Sequence, residues 1–173
     1  MIRNDINTIL YPVLKDVFDK DIFIVEAQLN TPRPDLPYVS INQISLIPQD
    51  GFGAEYRQIV HSTNEDFDYD ILDSRKTEDM ITISVSIHAT TIQEAYDIGN
   101  FFHDALDYTY RNDMLDKGYA LVGIQALQNR TIYQVDKFNY IYGFDILYRI
   151  DRTIQLRKDT IETVIINDEG IDL

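Results

Sequence analysis

The densest group of chemically capable side chains lies in "NEDFDYDILD", where Asp66, Asp68, Asp70 and Asp73 follow one another closely. Carboxylates at alternate positions can converge on one hard cation, as they do at the start of a calcium loop. In an EF-hand the glycine position would fall on Ile71 and the closing glutamate on Thr77, which excludes that motif. A different, weaker cation site stays open, and a solvated strand edge is the default reading.

The three histidines, His61, His88 and His103, are far apart, and no pair has the i, i+4 spacing that holds a metal on a helix. Ser86 and His88 share one face of a strand, which raises the idea of a nucleophile and its base. Neighbours on one strand face lie about 7 Å apart, too far for the hydrogen bond that activates a hydroxyl. No G-x-S-x-G accompanies them. No residue is therefore assigned a catalytic, metal-binding or cofactor-binding role, and no cofactor is expected.

A tight strand-to-helix turn offers another kind of site. "ITISVSIHATTIQEAYDIGNFFHDAL" (81–106) runs from a strand into a helix with almost no linker. A phosphate cradle at such a turn needs glycines, so that backbone N–H groups can approach the anion. Here the turn reads "HATTIQE", and Glu94 in the first helical turn would repel a phosphate. Thr91 and Glu94 instead have the spacing of a capping box. Gly99, further along, falls on the buried stripe, where it lets the helix approach a sheet.

The elements that would position these residues follow from hydrophobic periodicity. Ile2, Ile6, Ile9, Leu10, Val13, Leu14 and Val17 form one helical stripe over 2–18, interrupted by Pro12. "DIFIVEAQ" (21–28) reads as a strand. The prolines of "LNTPRPDLPY" make an extended connector into a second strand, "YVSINQISLI" (38–47). Residues 48–67 are Gly-containing, polar and weakly periodic, which predicts a long loop, a loose hairpin tip or an interaction arm. "DYDILDSRK" (68–76) and "DMITISVSIHA" (79–89) look like an antiparallel pair around "TE". The second helix carries Ile92, Ala95, Tyr96, Gly99, Phe102 and Leu106 on its buried stripe, with a stop at Gly118.

Beyond it the chain reads as strands: 119–128, 131–136 and a long one over 138–157. In the last, Tyr140, Tyr142, Phe144, Ile146, Tyr148 and Ile150 alternate with Asp145, Arg149 and Asp151. "TIETVII" (160–166) could pair back on it, leaving 167–173 as an acidic tail. The fold class expected is α+β, a mostly antiparallel sheet with two main helices packed on one face, in a single domain over 1–173.

Composition narrows the function. The chain of 173 residues has 15 basic and 29 acidic side chains, a net charge of −14. Such a surface repels phosphate backbones and anionic lipid, which argues against specific nucleic-acid binding or a membrane partner. With no cysteine there is no disulfide framework, thiolate nucleophile or Cys-ligated zinc. The N-terminus lacks the apolar core of a signal peptide, and no run of about 18 apolar residues is present, so cytosol is the expected compartment. Twelve tyrosines and eight phenylalanines suit half-buried sheet faces and subunit interfaces.

The order of these pieces resembles the neck and tail-terminator (tail-completion, head–tail joining) proteins of long-tailed bacteriophages. The resemblance rests on "PRPDLPYVSI" (32–41), "ITISVSIHATTIQEAYDIGNFFHDAL" (81–106) and "YIYGFDILYRI" (140–150), which occur in the family's order along most of the chain. It implies a tail-terminator-like fold and a non-enzymatic ring, usually a hexamer, that caps the tail tube and joins it to the head connector. DNA would pass through the lumen as cargo, without specific binding. The implied partners are other copies of the chain, the tail-tube protein and the head connector or head-completion protein. The implied location is the virion, after assembly in the host bacterial cytoplasm. Strong acidity would suit a lumen that must not hold DNA, and the 48–67 segment would reach a neighbouring subunit or ring. A tail-tube or head-completion protein is the alternative, and a small α+β enzyme or ligand-binding domain a more distant one. The polar strand face of Thr82, Ser84 and Ser86 is the expected lumen or subunit contact, where Ser84→Lys would impair assembly without harming the folded monomer.

Overall fold

The computed structural model describes residues 2–28, 32–65, 67–134 and 137–159. Asp66, the strand expected over 160–166 and the acidic tail over 167–173 lie outside them. The fold is α+β. Among the described residues seven strands form a sheet in the order β1-β2-β3-β7-β4, with the short β5 and β6 also pairing with β7. In chain order these are β1 (Phe23–Glu26), β2 (Tyr38–His61), β3 (Tyr69–Ala89), β4 (Tyr119–Ile124), β5 (Gln128–Asn129), β6 (Ile132–Gln134) and β7 (Lys137–Asp159). β1 runs parallel to β2, whereas β4, β5 and β6 are antiparallel to β7. The described residues divide into two compact units. One lies within Met1–Gln49 and Asp79–Asp151, the other within Asp50–Glu78 and Arg152–Leu173.

The first unit contains the helices and the core. Helix α1 (Ile2–Phe18) buries Ile2, Ile6, Leu10 and Leu14 and continues through Pro12. Asp19, at φ 50°, turns the chain out of the helix in the left-handed region. Helix α2 (Ile92–Asp104) starts at Thr91, whose hydroxyl accepts from the Glu94 N–H at 3.2 Å. Glu94 reaches back one residue earlier than a standard capping box does, accepting from the backbone N–H and hydroxyl of Thr90 at 3.2 and 2.7 Å. Lys20 then pairs with the same carboxylate at 2.6 Å, so the helix N-terminus is filled by the protein's own anion. A π-helical turn (Ala105–Thr109) and helix α3 (Arg111–Asp116) follow, and Gly118 ends the helical segment at φ 88°.

Ile81, Ile83, Val85 and Ile87 of β3 and Phe144, Ile146 and Tyr148 of β7 form the sheet's share of this core. Ile98, Phe102, Ala105 and Leu106 supply the facing helical surface. The buried stripe of α2 is rotated from the one expected, because Ile92 and Tyr96 are exposed and Ile98 is buried. Gly99 is on it as expected: a Cβ there would lie 3.0 Å from Leu127 Cδ1 and 3.5 Å from Tyr142 Cβ.

The second unit departs from the sequence reading. The loop expected over 48–67 is strand as far as His61, and of the described residues before β3 only Ser62 to Glu65, Phe67 and Asp68 lie outside a strand. The antiparallel pair expected around "TE" is one continuous strand, β3, and Thr77 sits buried inside it. The reason is visible in the side chains. This unit has strands but no helices among its described residues, and charged side chains such as Arg57, Asp70, Asp73, Arg75, Lys76 and Arg157 run through them, so local hydrophobicity does not mark them as strands.

Candidate functional site

Period-two alternation along β3 sends Ile81, Ile83, Val85 and Ile87 into the core, so Thr82, Ser84 and Ser86 face the other way. All three are half-buried. Each takes part in a cross-strand contact.

Thr82 accepts a hydrogen bond from Ser45 of β2 at 2.9 Å. Ser84 is the centre of a tighter group. Its hydroxyl donates to Asp145 Oδ1 at 2.7 Å, while Arg130 Nη1 donates to the Ser84 oxygen at 2.8 Å and Arg130 Nη2 to Asp145 Oδ1 at 3.0 Å. Burial pushes the Asp145 carboxyl up. The Ser84 hydroxyl and the Arg130 guanidinium outweigh it and hold the group below the usual carboxylate range. The guanidinium reaches this position over Gly143. A Cβ there would lie 2.5 Å from the Val85 carbonyl oxygen and 3.0 Å from Arg130 Nη1. The glycine is thus required by close approach.

The Ser86 carbonyl accepts from Ser40 at 3.4 Å. Ser86 also lines a pocket of about 240 Å³ with Glu26, Arg33, Tyr38, Ser40 and His88. Here the nearest hydroxyl to His88 is that of Ser40, at 3.0 Å from Nε2, and not that of Ser86. The imidazole stacks on Tyr38 with ring centres 4.5 Å apart and planes 14° from parallel. Burial, and then the positive charge of Arg33, push the His88 pKa down to about 4, against a weaker opposing hydrogen bond with Asn139. A neutral imidazole of such low basicity is poorly suited to take a proton from Ser40 at neutral pH. The pair is a polar contact within the sheet.

The acidic cluster is also engaged within the second unit. Asp70 is buried and pairs with Arg157 at 3.4 Å. Asp73 pairs with Arg57 at 2.8 Å and Lys158 at 2.9 Å, and these hydrogen bonds bring its pKa down to about 2. Among the described residues no three His, Asp or Glu side chains are arranged to hold a metal ion. No helix among them is long and apolar enough to cross a membrane.

Sequence reasoning thus found the polar face but missed the residues that cover it: Ser40, Ser45 and Arg130. The alternation of β7 had marked Asp145 as off the aromatic face. A lone glycine within that strand, Gly143, was the available sign of a close approach. Ser84→Lys is accordingly expected to reach the monomer itself. It removes the hydroxyl that bonds Asp145 and Arg130 and sets an ammonium beside Arg130.

No curated protein matches the chain. A family model described as phage neck terminator protein matches residues 4–172, and the chain belongs to that family.

Proposed function

We propose that this structural neck protein forms a closed homo-oligomeric ring, a hexamer, that ends the tail tube and joins it to the head connector, with DNA passing through its lumen. The observation that carries the reading is the match to the phage neck terminator family over 4–172, which leaves almost none of the chain for another role. Assembly takes place in the host bacterial cytoplasm, and the partners are further copies of the chain, the tail-tube protein and the head connector. The net charge of −14 supports a lumen that repels the DNA backbone. In this reading the face bearing Thr82, Ser84 and Ser86 lies at the lumen or at a subunit contact. The Thr82 and Ser84 hydroxyls are neutral and engaged with Ser45, Asp145 and Arg130, so they offer little to hold a phosphate.

Immunogold labelling of intact virions tests the assignment. A terminator places label at one collar, where tail meets head. Label spread along the tail would identify a tube protein and refute the proposal.

A further inference from the structure

Between α1, α2 and the π-helical turn the first unit has a groove of about 450 Å³. Its wall includes Val13 of α1, Tyr96, Asp97, Phe101 and Asp104 of α2, and Tyr110 just beyond the turn. Phe18 of α1 packs edge-on against Phe101 with ring centres 5.7 Å apart, which holds the two helices together beside it. Asp97, Phe101 and Asp104 have the spacing of one stripe along α2. An unbroken α-helix would continue that stripe with Tyr108. The π-helical turn, closed by the Tyr110 N–H on the Ala105 carbonyl at 2.8 Å, inserts one residue. Tyr108 is swung out by it and is 87% exposed, and Thr109 and Tyr110 take the wall instead. The turn therefore shapes the groove and sets a third aromatic ring in it.

The charge of this wall is unbalanced. Among the described residues Asp97 accepts from the neutral Gln93 amide alone, at 2.8 Å, and Asp104 meets only the adjacent His103 ring, at 3.4 Å. None of the described lining residues is a lysine or an arginine. Lys15 and Lys20, near the end of α1, are held by Asp21 at 2.7 Å and Glu94 at 2.6 Å. Over residues 92–118 the chain has six acidic side chains against two basic. Two carboxylates among aromatic rings attract a guanidinium both by its charge and by its flat face. A second copy of the chain is a poor source of that cation. Over the full sequence each unit has seven more acidic than basic side chains, so two copies repel. The complementary occupant is a basic segment of a different protein.

We propose that this groove docks a basic segment of a partner protein, with an arginine side chain set among Tyr96, Phe101 and Tyr110 and paired with Asp97 and Asp104. The inference goes beyond the ring reading and does not depend on it, since the contact is with another protein.

The test uses the full-length protein and, as probe, an N-acetylated hexa-arginine amide at about 50 mM salt, where screening is weak. Calorimetry reads the affinity, and hydrogen exchange reads which amides the peptide protects. Wild type is expected to bind, with protection over residues 96–110. Asp97→Asn with Asp104→Asn should weaken binding about 10-fold. Asp113→Asn with Asp116→Asn removes the same charge from exposed positions of α3 and should change the affinity less than about 2-fold. Tyr96→Ala, at an exposed position, should weaken binding about 3-fold by removing one aromatic partner. Absence of binding, or equal weakening by the two double variants, would overturn the inference, the latter because overall charge alone then holds the peptide. So would protection of 96–110 that rises with protein concentration in the absence of peptide, which means another copy covers the groove. Virion labelling is read separately, so failure of this contact leaves the neck assignment standing.

Discussion

Removing the Asp145 carboxylate is the sharpest test of the polar sheet face. In the folded chain it accepts from Ser84 at 2.7 Å and from Arg130 at 3.0 Å, with the acid and the guanidinium side chains 22% and 27% exposed. Fully buried, each charged hydrogen bond would be worth about 1.5–3 kcal/mol. Partial exposure screens the ionic part, which brings the pair to about 2 kcal/mol in total. Asp145→Ala should therefore lower the urea midpoint by about 1 M at neutral pH, taking a slope of about 2 kcal/mol per M. The effect has a defined pH dependence. The folded-state pKa of Asp145 is below the unfolded value of 3.8, so its contribution is complete above that value and is lost as pH falls through the lower folded one. The gap between wild type and variant should accordingly narrow in acid. A double-mutant cycle with Arg130→Ala should return a coupling of about 1 kcal/mol. All unfolding is compared at one protein concentration, because association would shift the midpoint. A midpoint shift under about 0.3 M, or a gap unchanged in acid, would refute the network as a source of stability.

Gly143→Ala puts a methyl group 2.5 Å from the Val85 carbonyl, and forcing these strands apart should cost about 2–4 kcal/mol, read as a lower melting temperature. His88, with its pKa pushed from 6.5 to about 4, takes up its proton more readily once unfolded, so stability should fall as pH drops from 6.5 towards 4. After discounting for solvent screening the loss is about 2 kcal/mol, and His88→Gln should flatten this part of the profile. Ile98→Ala should cost about 2–4 kcal/mol in a denaturant titration, whereas Tyr96→Ala on the exposed side of α2 should cost under about 1 kcal/mol. Calcium titrated into the protein should give no binding heat, because Asp70 and Asp73 already hold Arg157, Arg57 and Lys158.

What the sequence made legible was local. The α1 stripe of Ile2, Ile6, Leu10 and Leu14, the start of α2 at Thr91 and the stop of the helical segment at Gly118, after α3, rest on contacts within a few residues, and each is found where periodicity and capping chemistry put it. The phase of α2 was misjudged because Ile92 and Tyr96 also fit a helical stripe. A tyrosine with a polar tip can occupy its edge, and only the sheet beneath decides that Ile98 turns inward. The continuity of β3 through "RKTED" was hidden by its charge. Asp70 and Asp73 find their cations on β7 and β2, distant in sequence, so local hydrophobicity carries no sign of the pairing. The same holds for Ser84, Arg130 and Asp145. Alternation assigned Ser84 and Asp145 to polar faces, but strand order and register brought them together.

The most direct test of the account is to delete the gene from its phage and examine lysates by electron microscopy. A ring that ends the tube and joins it to the head predicts filled heads without tails, beside free tails of uncontrolled length. Joined particles with tails of normal length would contradict it.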